Sequence, residues 1–153
     1  MTNTKSSGID DQAQYIAFML DEMLLGIDVM LFRKTTRYSE PANIPDTDEY
    51  VKGVIHLRGE VVTLIDLRSQ LDFSPAEITP KTRTIVVDLN EERIALLVDE
   101  VRDVRTVDRD ELKPVPANFQ QTNREAFSHV VTTENRLMAI LDVRKVLLAS
   151  SKS

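Results

Sequence analysis

YVKGVIHLRGEVVTLIDLRSQL, residues Tyr50–Leu71, reads as two short strands folded on a tight turn and followed by one turn of helix. Val54, Ile55 and Leu57 supply β-rich apolar positions before the turn. Gly59 sits where a hairpin tip requires positive φ, which costs a glycine little. Val61, Val62, Leu64 and Ile65 form the returning strand, and their near-continuous apolar run predicts burial on both faces, as in a barrel wall. Asp66 ends the strand and can cap 67–71 by accepting backbone N–H groups.

The same pattern returns near the C-terminus. Asp66 falls on Asp142, an offset of 76 residues (142 − 66). Val54, Val61, Leu64 and Ile65 then fall on Val130, Leu137, Ile140 and Leu141. The tips Arg58-Gly59-Glu60 and Glu134-Asn135-Arg136 are both turn-like. A second pair has an offset of 69 residues (84 − 15): YIAFMLDEMLLGIDV from Tyr15 matches TIVVDLNEERIALLV from Thr84, with Ile16, Phe18, Leu20 and Ile27 on Ile85, Val87, Leu89 and Leu96. The chain therefore carries two related β units.

Strands are expected over 14–20, 24–28, 35–39, 54–57, 61–65, 83–89, 93–98, 101–107, 126–133 and 136–141. Residues 29–34 read as a helical turn or a bend, 46–53 as a capped turn and 108–112 as a helical turn. No helix is long enough for a βαβ crossover, so the expected fold is all-β with short helices: two five-stranded SH3-like β-barrels related by a pseudo-two-fold axis. The expected organisation is a polar, flexible arm over 1–12 and one domain over 13–149. Within it lie a first barrel at about 13–72, a proline-containing linker over 73–81, a second barrel at about 82–142 and a short helix over 143–148.

With 153 residues and a net charge of −6, the chain lacks the clustered basic face of a nucleic-acid-binding surface. It has no cysteine, which removes disulfides and thiolate chemistry and fits a reducing compartment. No apolar run approaches the roughly 18–20 residues of a membrane span, so a cytoplasmic protein without membrane insertion is expected.

Asp66 and Asp142 are the most tempting enzymatic feature, because two pseudo-symmetric carboxylates resemble an acid dyad of a hydrolase. Each sits in a D-[LV]-R context, however, and helix capping accounts for both. His56 and His129 are the only histidines and fall on non-equivalent positions, so they define no metal site. No nucleotide cradle or activated nucleophile is present, and no cofactor is expected. Met30, Leu31 and Phe32 read either as core or as the lining of a groove for a partner helix. Phe119, after Pro114-Val115-Pro116, reads either as a core plug or as an interface anchor.

Tyr50–Arg68 resembles the signature of CheW-like chemotaxis coupling proteins. The flanks agree: Y-I-A-F from Tyr15, L-G-I-D-V over Leu25–Val29, A-L-L-V-D-E-V over Ala95–Val101 and A-I-L-D-V-R-K-V-L-L over Ala139–Leu148. The resemblance covers nearly the whole chain after the N-terminal arm. It implies a non-enzymatic protein that bridges chemoreceptor cytoplasmic tips to the regulatory domain of the histidine kinase CheA, with other CheW-like domains as ring partners, in the cytoplasm at membrane-associated arrays. It implies a receptor groove carrying Leu31, Phe32, Lys34, Val54 and Arg58, and kinase-facing positions at Lys52, Gly53, Lys113 and Phe119. It leaves Gly59, Asp66 and Asp142 structural. Lys34 stands where the family usually has glutamate, Thr63 where it has proline, and Ser128 or His129 where a glycine is common. Beside Arg58, Lys34 replaces an ion pair with a like charge. That departure points to a diverged paralogue, one that binds kinase without receptor coupling or serves a system such as type IV pilus control.

Overall fold

The computed structural model describes residues 11–45, 51–75, 77–117, 119 and 124–146. It contains ten strands: β1 (Gln12–Leu20), β2 (Met23–Asp28), β3 (Phe32–Arg37), β4 (Val51–Leu57), β5 (Glu60–Asp66), β6 (Arg83–Leu89), β7 (Glu92–Val98), β8 (Glu100–Asp108), β9 (Phe127–Thr133) and β10 (Arg136–Leu141). A four-residue helix, α1 (Leu67–Gln70), follows β5, and residues 143–146 form its counterpart after β10. A 3-10 turn, Arg109–Glu111, follows β8 where a helical turn was expected.

Turn chemistry sets the hairpins. Positive φ occurs at both tip residues of three of them: Arg58 and Gly59, Asn90 and Glu91, Glu134 and Asn135. This is the twist that two-residue hairpin turns need. Asp66 caps α1 as expected, its side chain accepting from Arg68 N at 3.1 Å. Asp142 accepts from Lys145 N at 3.3 Å. Both carboxylates of the would-be acid dyad thus serve as helix caps.

Residues 29–31 form the bend, closed by Leu31 N to Asp28 O at 3.0 Å and Met30 N to Asp28 Oδ1 at 2.9 Å. Strand β3 therefore starts at Phe32, three residues earlier than the pattern suggested. The expected arm over 1–12 lies outside the described residues except for 11 and 12, and Gln12 already begins β1. Of the expected capped turn over 46–53, residues 46–50 lie outside them and 51–53 instead begin β4; helix residues 147 and 148 also lie outside them.

The strands form two five-stranded sheets, ordered β8-β1-β2-β10-β9 and β3-β6-β7-β5-β4. The expected sequential division of the barrels is thereby corrected. Each repeat sends its first hairpin into the other repeat's sheet. Strand β2 pairs in parallel with β10, Ala139 opposite Leu25, and β5 pairs in parallel with β7, Thr63 opposite Ile94. These two pairs are images under the 69- and 76-residue offsets. The 73–81 linker joins α1 to β6 within one sheet and separates no barrels. The exchange was invisible in sequence because an alternating strand satisfies its pattern in either sheet.

The exchange buries both faces of the central strands. Ile16, Phe18 and Leu20 enter a core shared by the two sheets with Ile85, Val87 and Leu96. Tyr15 and Ala17, on the opposite face of β1, enter the interior of their own sheet with Val107, Met138 and Ile140. Val62 and Leu64 do the same in the second sheet. Burial along β5 is less continuous than its run suggested: Val61 is 60% exposed, and so is its repeat mate Leu137, at 47%.

Each sheet curls until its edges meet at one isolated bridge, Ala42 to Val54 and Lys113 to Val130. Val54 and Val130 are repeat mates. At the first closure a Cβ on Gly53 would lie 2.1 Å from the Ala42 carbonyl oxygen, and its φ is +141°. Only glycine fits there.

Candidate partner-binding site

Strand register shows where the expected site residues stand. One cross-strand row runs Phe32–Val87–Ile94–Thr63–Val54 across the whole second sheet, on the face toward the shared core. Val87 and Ile94 are buried, whereas Phe32, Thr63 and Val54 are half-buried. Phe32 and Val54, expected in one groove, are therefore the two ends of one row. Leu31 packs beside Phe32 against the shared core, and its carbonyl accepts from Asp88 N at 2.9 Å. Arg58 is exposed at the β4–β5 tip with φ +49°.

Lys34 does not join that face. A register shift between Phe32 and Lys34 makes a bulge, which turns Lys34 to the side of Val86. Lys34 and Gly53 end a second row, Lys34–Val86–Ala95–Leu64–Gly53, whose middle residues belong to the interior of the sheet.

Of the expected kinase-facing positions, Lys52 is exposed and occupies the register shift of β4. Gly53 is buried at the sheet closure. Lys113 is exposed, its backbone bridging to Val130 and its Nζ donating to the Asp110 carbonyl at 3.3 Å. Phe119 is half-buried against the shared core, its ring edge-on to Phe127 at 5.5 Å. Gly53 and Phe119 are thus committed to packing.

Electrostatics separate two groups of cations. A chain of ion pairs crosses the tip end of the second sheet. Arg33 meets Asp88 at 3.3 Å, Arg93 meets Asp88 at 2.9 Å, and Arg93 meets Glu60 at 2.7 Å. It anchors the root of the hairpin that carries Arg58. Lys34, Lys52 and Arg58 pair with no carboxylate among the described residues.

The sequence reading missed the Arg68 clamp. Arg68 Nε and Nη2 donate to Asp99 Oδ1 and Oδ2 at 3.0 and 2.7 Å, and Nη2 approaches Asp21 Oδ1 at 3.4 Å. Asp99 Oδ2 also accepts from Asp21 N at 2.7 Å. The cluster ties α1 and the β7–β8 junction to the β1–β2 turn of the other sheet. The hydrogen bond to Asp99 raises the Arg68 pKa despite partial burial. Burial acts to raise the Asp99 pKa, but Arg68 and the Asp21 N–H outweigh it and hold the carboxyl below its ordinary value. The repeat mate of Asp99 is Met30, which is 83% exposed, so the clamp exists on one side only. The acidic pair Asp99-Glu100 between two strands was the available signal, but it named no partner.

Two SH3-like sheets that exchange hairpins around a shared core, one with an apolar row open at its edge, define a paired β-sheet domain of pseudo-two-fold symmetry. A CheW-like domain model matches residues 14–150. The chain is 34% identical to the chemotaxis protein CheW of Bacillus subtilis (strain 168) over 132 residues, covering 86% of this chain and 85% of that one. It is 27% identical to the chemotaxis protein CheW of Rhizobium meliloti (strain 1021) over 146 residues, 95% and 94% of the two chains. The crystal structure of scaffolding protein TtCheW from Thermoanaerobacter tengcongensis superposes with a TM-score of 0.77 at 25% identity, over 85% of this chain and 88% of that one. The protein belongs to the CheW-like family. No helix among the described residues is long and apolar enough to cross a membrane.

Proposed function

We propose that this protein is a non-enzymatic chemosensory coupling scaffold that bridges chemoreceptor signalling tips to the regulatory domain of the kinase CheA. It acts by binding, with apolar contacts supplying affinity and charged rims supplying register and partner choice. The observation that carries this reading is the row ending in Val54, half-buried, on the hairpin whose exposed tip is Arg58. Leu31, Phe32, Val54 and Arg58 would meet the receptor tip, with Lys34 at the mouth of the sheet interior. Lys52 and Lys113 would face the kinase, Gly53 and Phe119 contributing through the backbone and core they hold in place. Work in the cytoplasm at membrane-associated arrays, and ring contacts with other CheW-like domains, follow from the same reading.

The test is a titration of the whole protein against the CheA regulatory domain and a receptor signalling-tip fragment. Binding to both supports the coupling role. Arg58→Ala should weaken tip binding while the circular dichroism spectrum stays unchanged, and full binding by that variant would remove Arg58 from the groove. Lys34 supports a second reading, a diverged paralogue that binds kinase without receptor or serves a type IV pilus system. Binding to the kinase domain alone would favour it, with Lys34→Glu as the next variant.

A further inference from the structure

The end of the second sheet opposite the Arg58 tip carries a cleft that the coupling role leaves unused. The register of β3 on β6 ends there with Arg37 directly opposite Arg83. Like charges so placed destabilise a strand pair. Lys81, exposed, adds a third cation two residues before Arg83. The acidic residues of the same sheet, Glu60, Glu91 and Glu92, gather at the β4–β5 and β6–β7 tips, six residues along β6. That is roughly 20 Å along an extended strand, about two Debye lengths at ordinary salt, so they give the arginines little relief. Glu40 acts instead on Tyr38, whose pKa is raised by burial and then by this charge, and ion-pairs with neither arginine.

The cleft holds about 360 Å³ and is lined by Arg37, Tyr38, Ile78, Pro80, Thr82 and Arg83, with Thr79 beneath. Its wall is preformed. Thr79 N donates to Thr82 Oγ1 at 2.9 Å, Lys81 N to Thr79 Oγ1 at 3.1 Å and Thr82 N to Thr79 O at 3.1 Å, which locks the turn before β6. Arg83 Nη1 donates to the Pro80 and Thr82 carbonyls at 2.8 Å each. These bonds fix the guanidinium and leave Nε and Nη2 for another acceptor. Ile78 is 46% exposed on the same wall.

We propose that this cleft docks an acidic segment of a partner protein, one carboxylate bridging Arg37 and Arg83 and a neighbouring apolar side chain covering Ile78. The planar guanidinium fork matches carboxylate geometry. A carboxylate between the two arginines turns their repulsion into attraction, so the pair costs stability in the free protein and supplies affinity and selectivity in the complex. Ile78, Tyr38 and Pro80 offer an apolar contact that a peptide can use and a free inorganic anion cannot. No residue of the proposed receptor or kinase contacts lines the cleft, so the site goes beyond the coupling role.

The two roles of Arg37 are read separately on the whole protein. In urea denaturation, Arg37→Gln should raise the midpoint, because it removes the repulsion. A lowered midpoint would show that a carboxylate of this chain already holds Arg37, and it overturns the site. For binding, the probe is a fluorescein-labelled peptide alternating glutamate and leucine, followed by anisotropy at low salt, with amide NMR shifts to locate it. The shifts should centre on residues 78–84, and affinity should fall at least tenfold in Arg37→Gln and in Ile78→Ser. Inorganic phosphate is titrated in parallel. If phosphate moves the same amides while the peptide moves none, the cleft takes an adventitious ion only and the docking of an acidic segment is wrong. Equal peptide affinity in wild type and Arg37→Gln, or shifts centred elsewhere, overturns the cleft.

Discussion

Gln70 and Val146 occupy equivalent positions in the two repeats, and they touch each other: Gln70 Nε2 donates to the Val146 carbonyl oxygen at 2.7 Å. The contact brings α1 against the C-terminal helical turn, so the two helices meet across the pseudo-two-fold axis. The symmetry is broken at this point by side-chain chemistry, since an amide faces a valine backbone.

Replacing Gln70 with leucine should cost about 1 kcal/mol of unfolding free energy, the usual worth of one partly buried hydrogen bond. Urea denaturation of the full chain reads this directly, as a lower midpoint with an unchanged slope. An unchanged midpoint would show that apolar packing, including that of Leu67, Leu71, Val143 and Val146, holds the helices in place.

The Arg68 clamp predicts a pH dependence with a definite sign. The Asp99 pKa is lowered in the folded state, so the unfolded chain binds the proton more tightly. The stabilisation is complete above the ordinary carboxylate value of 3.8 and is lost as pH falls toward the lower folded value. Wild type should therefore lose stability more steeply below about pH 4 than Asp99→Asn does. Arg68→Met should cost about 2 kcal/mol at neutral pH, in the range of hydrogen bonds to charged groups. Acid titrations followed by circular dichroism compare the proteins, and parallel curves would remove Asp99 as the titrating group.

Two glycines of the central hairpin should respond differently to alanine. At Gly53 the new methyl meets the Ala42 carbonyl at 2.1 Å as well as a φ of +141°, so the bridge that closes the sheet must break. At Gly59, φ is +85° and nothing lies within 4 Å, leaving only the left-handed backbone penalty of about 1–2 kcal/mol. Thermal melts should place Gly53→Ala well below Gly59→Ala. If Gly53→Ala melts with wild type but loses kinase-domain binding, Gly53 is a contact residue.

Much of this fold was legible because hairpins announce themselves locally. Arg58-Gly59, Asn90-Glu91 and Glu134-Asn135 mark their turns, and Asp66 and Asp142 mark the helix starts. The two offsets disclosed the repeat. Partner strands were not legible: β2 carries the same alternation beside β10 as it would beside β3. Phe32 was placed before a strand because the apolar run before it imitates a helical turn, and the bulge that turns Lys34 away leaves no mark in the pattern. The clamp joins Arg68 to Asp99 across 31 positions, a separation that no local rule spans.

The hairpin exchange has a mechanical consequence. A molecule of two sequential barrels could open like a clasp about its linker. Here each sheet holds strands from both halves of the chain, so the 73–81 segment cannot act as a pivot, and any relative swing of the two repeats must pull β2 from β10 or β7 from β5. Load applied at the Arg58 tip reaches β7 and β6 of the other repeat through ladders of backbone hydrogen bonds. The protein is built as a strut.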